Sequence, residues 1–89
     1  MQEETLTIIN KLGLHARAAG KLVETTMRYD SDITIEKEGR NVDGKSIMAI
    51  MMLAAGKGTE IRIKVNGEDE QAAIQDIIAL INNRFGESE

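Results

Sequence analysis

The sequence contains no cysteine. That absence excludes disulfides, thiolate metal sites and cysteine nucleophiles, and it suits a reducing compartment. Aromatic residues are nearly as scarce: Tyr29 and Phe85 are the only two, so the core must be aliphatic, built from Ile, Leu, Val, Ala and Met. No apolar run approaches the roughly 20 residues of a membrane span. The N-terminus, Met1-Gln2-Glu3-Glu4, lacks the basic start and apolar stretch of a signal peptide. A basic surplus is also missing. The formal net charge is −4, against the basic surface that phosphate contacts favour in nucleic-acid binders. The expectation is a cytoplasmic protein that neither enters a membrane nor reads nucleic acid.

What is present fits one small domain, residues 1–89, with 42% hydrophobic residues to fill a core. At this length about two-thirds or less of the unfolded surface is buried on folding, so stability is modest. Thr5 to Ile9 reads as a strand and Asn10 to Leu14 as a connection. A helix follows, with Ala19, Leu22, Val23 and Thr26 on one face. Asp32 to Glu36 alternates as a strand. The turn Lys37-Glu38-Gly39-Arg40 then leads to a short strand around Asn41 and Val42, a hairpin pattern. Ile47 to Ala55 predicts a second helix stopped by Gly56 and Gly58. Glu60 to Val65 is the clearest strand, with Ile61, Ile63 and Val65 on one side. Acidic residues 68 to 70 favour the start of a third helix through its dipole. Ile74, Ile77, Ile78, Ile81 and Phe85 form its apolar stripe, and Arg84 and Gly86 end it. The order is β-α-β-β-α-β-α. Alternation in the strands predicts an α+β open-faced sandwich, with one face of a largely antiparallel sheet covered by helices and the other wet.

Three segments carry candidate chemistry. The first is Leu12-Gly13-Leu14-His15-Ala16-Arg17, which holds the only histidine. A helix start presents unpaired N–H groups and a partial positive charge, which bind anions. That field also disfavours imidazolium, so His15 is expected to stay neutral with a free nitrogen lone pair. A neutral imidazole is a competent nucleophile toward phosphorus, and Arg17 would hold and stabilise the phosphoryl oxygens. From these residues alone, the favoured reading of His15 is a polar residue at a helix boundary, since nothing local demands catalysis.

The second segment, Gly39-Arg40-Asn41-Val42-Asp43-Gly44-Lys45-Ser46, matches the P-loop pattern letter for letter. A P-loop needs a strand, a phosphate loop and a long helix in a parallel sheet. Here its first glycine falls in a hairpin turn and its middle reads as strand, which disfavours an ATPase. Ser46 reads as an N-cap of the second helix. As a regulatory phosphosite it would place negative charge at the positive end of that helix and repel an acidic partner.

The third segment, Ile47-Met48-Ala49-Ile50-Met51-Met52-Leu53, is apolar all round. Ile50 and Leu53 share the sheet-facing side. Ile47, Met48 and Met51 then form either a buried face or a docking patch of the adaptable kind that methionine supplies. Lys45, Arg17 and Lys21 would give that patch a positive rim for acidic partners.

Together these segments resemble the HPr phosphocarrier family of the bacterial sugar phosphotransferase system. The likeness rests on Asn10 to Arg17 for the active-site loop, Lys45-Ser46-Ile47-Met48 for the regulatory segment, and Leu53-Ala54-Ala55-Gly56-Lys57-Gly58 for the loop that follows. It implies that His15 accepts phosphate from enzyme I through Nδ1 and passes it to an enzyme IIA domain. Arg17 assists, and Ser46 is modified by HPr kinase/phosphorylase where that enzyme exists. It implies docking through Ile47, Met48 and Met51, and a four-stranded sheet in the order 1-4-2-3 under three helices. The expected protein is a monomeric carrier used as a co-substrate by larger enzymes, with no cofactor and no metal. The nitrogen-related branch, NPr, shares the fold and the histidine and is the alternative; a non-catalytic α+β interaction module and the P-loop hydrolase are the competing classes. The chain departs from the family at Ala18, where proline is usual, and at Gly20, where a better helix former is usual.

Overall fold

A computed structural model describes all residues from Met1 to Glu89. Four strands form one antiparallel sheet: β1 (Gln2–Thr7), β2 (Asp32–Lys37), β3 (Arg40–Asp43) and β4 (Glu60–Asn66), in the order β1-β4-β2-β3. Helices α1 (Ala16–Thr26), α2 (Ile47–Met52) and α3 (Glu70–Asn82) follow β1, β3 and β4, with a 3-10 turn at Arg84–Gly86. The open-faced sandwich and the implied strand order are both observed.

Strand alternation builds the two faces. Ile61, Ile63 and Val65 of β4 and Ile33 and Ile35 of β2 point under the helices and are buried. They meet Leu22, Ile50, Ile74, Ile77 and Ile81 in one aliphatic core. Full burial of such a side chain contributes about 1.5–3 kcal/mol. The opposite face is wet and held by charge pairs across strands, Lys64 to Glu36 at 2.6 Å and Arg62 to Glu3 at 3.4 Å.

The β2–β3 turn settles the P-loop question. Glu38 and Gly39 both take positive φ, 51° and 83°, as a two-residue hairpin turn requires. Lys37 pairs directly with Arg40. The segment that spells a P-loop is thus a hairpin turn and an edge strand.

Three boundaries differ from the sequence expectation. β1 begins at Gln2 and ends at Thr7, because its pairing with β4 runs from Gln2 opposite Val65 to Thr7 opposite Glu60 and draws polar residues into the ladder. α2 ends at Met52 rather than continuing to Ala55. The Lys37 ammonium takes the Leu53 carbonyl at 3.0 Å and the Arg40 guanidinium takes the Met52 carbonyl at 3.3 Å. These cations satisfy and complement the negative end of the helix. Ala54 then turns left-handed, with φ 52°. Phe85 is not on α3. Arg84 and Phe85 both have φ 55°, and this turn, not the helical stripe, sends the Phe85 ring into the core. Ile78, expected in the stripe, is only half-buried.

Gly20 lies inside α1 with nothing within 4 Å of the space a Cβ would occupy. Glycine in a helix interior costs about 1 kcal/mol relative to alanine. Gly20→Ala is therefore expected to raise the midpoint of thermal unfolding by about 4–8 °C. Calorimetry measures it; an unchanged or lowered midpoint would show that the α1 backbone is not relaxed there.

Candidate active site

His15 is positioned by a loop pressed against a second loop. Gly13 has φ 68°, and a Cβ on it would lie 2.5 Å from the Ala55 carbonyl oxygen. Only glycine permits this approach. The Leu14 N–H then donates to that same carbonyl at 2.9 Å, and the Leu14 side chain is buried. Past this clamp the chain enters α1 with His15 as the N-cap residue, extended at φ −73° and ψ 178°. No side chain caps α1, so its first-turn N–H groups are available to an anion.

The ring itself is held by the C-terminal segment. His15 Nε2 lies 2.6 Å from Glu87 Oε2. The Glu87 carboxyl sits below the usual carboxylate range, first because of this bond, with burial opposing and Asn10 adding to it. An ionised carboxylate only accepts hydrogen bonds, so the proton is on Nε2. In the neutral ring the lone pair then belongs to Nδ1. The negative charge of Glu87 also counters the positive field of the helix start, a competition the sequence expectation for His15 did not contain.

Asn10 completes the support. It is fully buried, and its Nδ2 donates to the Gly13 carbonyl at 2.8 Å and to Glu87 Oε1 at 3.1 Å. One amide thus ties the glycine turn to the carboxylate that orients the ring. The Lys21 ammonium donates to the Phe85 carbonyl at 2.7 Å, and the Lys11 N–H donates to the Glu89 carbonyl at 3.0 Å. These contacts lay the C-terminal segment along a groove that His15, Arg17 and Lys21 share with Lys11, Leu12 and Glu87.

The other expected site residues fall in two groups. Arg17 is exposed and lines the His15 groove. Ser46 is the N-cap of α2, and its hydroxyl accepts from the Ala49 N–H at 3.2 Å. Ile47, Met48 and Met51 are exposed, 42%, 70% and 39%, while Ile50 and Leu53 are buried as expected. A shallow groove lined by Ala16, Arg17, Gly20, Lys21, Met27 and Ile47 joins this patch to the His15 site along α1. Lys45 directly precedes Ser46, and its ammonium donates to the Tyr29 carbonyl at 2.7 Å, just past the end of α1. Two further exposed apolar residues, Met52 (60% exposed) on α2 and Leu12 (66% exposed) in the His15 groove, carry no docking role in the sequence reading. Nor were Glu87 and Asn10 given site roles there. Ala18 is buried in the first turn of α1 and leaves the helix start in place without the usual proline.

A family model described as "PTS HPr component phosphorylation site" matches residues 2–83. The chain is 52% identical over 87 residues to a phosphocarrier protein HPr of Xylella fastidiosa, with 98% of each chain covered. It is 56% identical over 88 residues to one of Pseudomonas aeruginosa, with 94% of each covered. An HPr crystal structure from Thermoanaerobacter tengcongensis superposes with TM-score 0.97 at 42% identity over the whole of both chains. These relatives carry the HPr name, and the nitrogen-related alternative is not favoured. Glu87 lies beyond the residues the family model matches.

The lowered Glu87 carboxyl gives a pH signature. Its contribution to stability is present above the unfolded carboxylate value, about 4.3, and is lost as pH falls through the lower folded value. Glu87→Gln is therefore expected to reduce stability at neutral pH and to flatten the loss of melting temperature below about pH 4.3. Parallel acid-side slopes for variant and wild type would contradict the Glu87–His15 bond.

Proposed function

Because the chain belongs to the HPr phosphocarrier family of the phosphotransferase system, we propose that His15 accepts a phosphoryl group from phospho-enzyme I and delivers it to an enzyme IIA domain, acting as a cytoplasmic monomer. The observation that carries this reading is the Nε2 bond to Glu87, which leaves the Nδ1 lone pair as the nucleophile. Nδ1 forms a bond to phosphorus as the bond to the donor breaks. The ring becomes cationic, and the Glu87 carboxylate against Nε2–H offsets that charge. The phosphoryl oxygens are received by the first-turn N–H groups of α1 and by Arg17. Transfer to the next protein reverses these steps. The protein is a co-substrate of its partners rather than a self-sufficient catalyst.

Docking uses the exposed face of α2, Ile47, Met48 and Met51, with Arg17 and Lys21 beside it. Apolar exposure next to cations suits partners with an apolar centre and an acidic rim. Lys21 and Lys45 contribute to this rim through their general charge, since both ammoniums are already bonded to backbone carbonyls. Ser46 is the regulatory position, open to HPr kinase/phosphorylase where that enzyme exists. Its half-buried hydroxyl stands at the edge of the docking face, and phosphate there repels acidic partners.

The test is incubation with enzyme I and labelled phosphoenolpyruvate. An acid-labile, base-stable label on the wild type that is absent from His15→Ala supports the carrier reading. No label under conditions that load an authentic carrier would overturn it. For the second site, Ser46→Asp is expected to keep the fold, since Asp also caps helices. It should lower kcat/KM for loading by about tenfold through like-charge repulsion. An unchanged value would count against regulation at Ser46.

A further inference from the structure

The chain has five methionines and no cysteine. None of the methionines is in the core: Met1, Met27, Met48, Met51 and Met52 are all 39% or more exposed. Three of the five belong to one six-residue helix, α2. With about 100° per residue, the outward order around α2 is Ile47, Met51, Met48, Met52, a continuous strip opposite Ile50 and Leu53. Without thiols to intercept an oxidant, these thioethers are the soft, exposed sulfur of the protein.

We propose that the α2 methionines, Met48 and Met51 foremost, are a reversible oxidation site through which hydroperoxides switch off partner docking without unfolding the carrier. This rests on the docking face proposed above. The thioether sulfur attacks one peroxide oxygen, the O–O bond breaks, the S–O bond forms, and the other oxygen leaves as water or alcohol. The sulfur loses two electrons and the peroxide gains them. Return to the thioether takes two electrons from the thiols of a methionine sulfoxide reductase, which end as a disulfide with release of water. A sulfoxide is polar and a strong hydrogen-bond acceptor. On a face that must shed water to dock, it leaves an acceptor buried against apolar partner surface. The core contains no methionine, so the same chemistry leaves the fold alone.

The test uses the full chain treated with hydrogen peroxide until peptide mass spectrometry finds sulfoxide at Met48 and Met51, then cleared with catalase. Loading of His15 by enzyme I and phosphoenolpyruvate is followed against carrier concentration. The expected result is a KM raised about tenfold, a similar kcat at saturation, an unchanged circular dichroism spectrum, and recovery after methionine sulfoxide reductase. The Met48→Leu/Met51→Leu/Met52→Leu protein, judged against its own untreated rate, is expected to lose nothing to peroxide. An unchanged KM with both sulfoxides present would overturn the proposal, as would equal loss in the triple variant or loss of the folded spectrum. Unoxidised Met48→Asp separates the two readings. If it raises KM while the sulfoxides do not, the oxidation proposal alone fails. If it too leaves KM unchanged, the docking face itself is wrong.

Discussion

A carboxylate stands 2.6 Å from one nitrogen of the only histidine ring. Much of the site follows from that contact. The bond places the proton on Nε2 and the lone pair on Nδ1. His15 itself is the N-cap of α1 and shares its groove with Arg17. In the proposed transfer the Glu87 carboxylate also supplies the counter-charge to the phosphorylated imidazole. Asn10 makes the arrangement rigid by bonding both the Glu87 carboxylate and the Gly13 carbonyl. The turn that launches the helix and the acid that orients the ring are therefore one unit.

That unit is only as firm as the loops behind it. Gly13 and Ala55 approach more closely than any side chain would allow. The Leu14 N–H bond to Ala55 locks the two loops together, and Leu14 anchors them to the core. The short α2 ends at Met52 and the chain turns left-handed at Ala54, just before the Ala55 carbonyl that accepts that bond. Lys37 and Arg40 close the helix where the fold needs it closed. The exposed apolar face of α2 is the surface of the proposed docking, and its methionines make it adaptable and oxidisable.

The sheet and helix pattern was legible because period-two alternation in Glu60–Val65 and Asp32–Glu36 admits one burial face. The P-loop spelling carries no phosphate loop, because its residues form a hairpin turn and an edge strand. His15, Arg17 and the capping Ser46 were legible as local patterns at helix starts. Glu87 was not, because its partner is 72 residues away and a tail glutamate carries no local signal. Phe85 was placed in the core but on the wrong element, since consecutive left-handed residues are not readable from an apolar stripe. The backbone carbonyls that hold the Lys45 and Lys21 ammoniums are not legible either, because such a lysine looks, in sequence, like any other.

The central claim is that the Glu87 bond leaves Nδ1 as the atom that carries the phosphoryl group. The most direct measurement is nitrogen and phosphorus NMR of the loaded protein with ¹⁵N-labelled histidine. The account predicts one phosphoramidate, with the phosphorus coupled to Nδ1 and Nε2 still protonated. A phosphoryl group on Nε2 would contradict it, as would one on any residue other than His15.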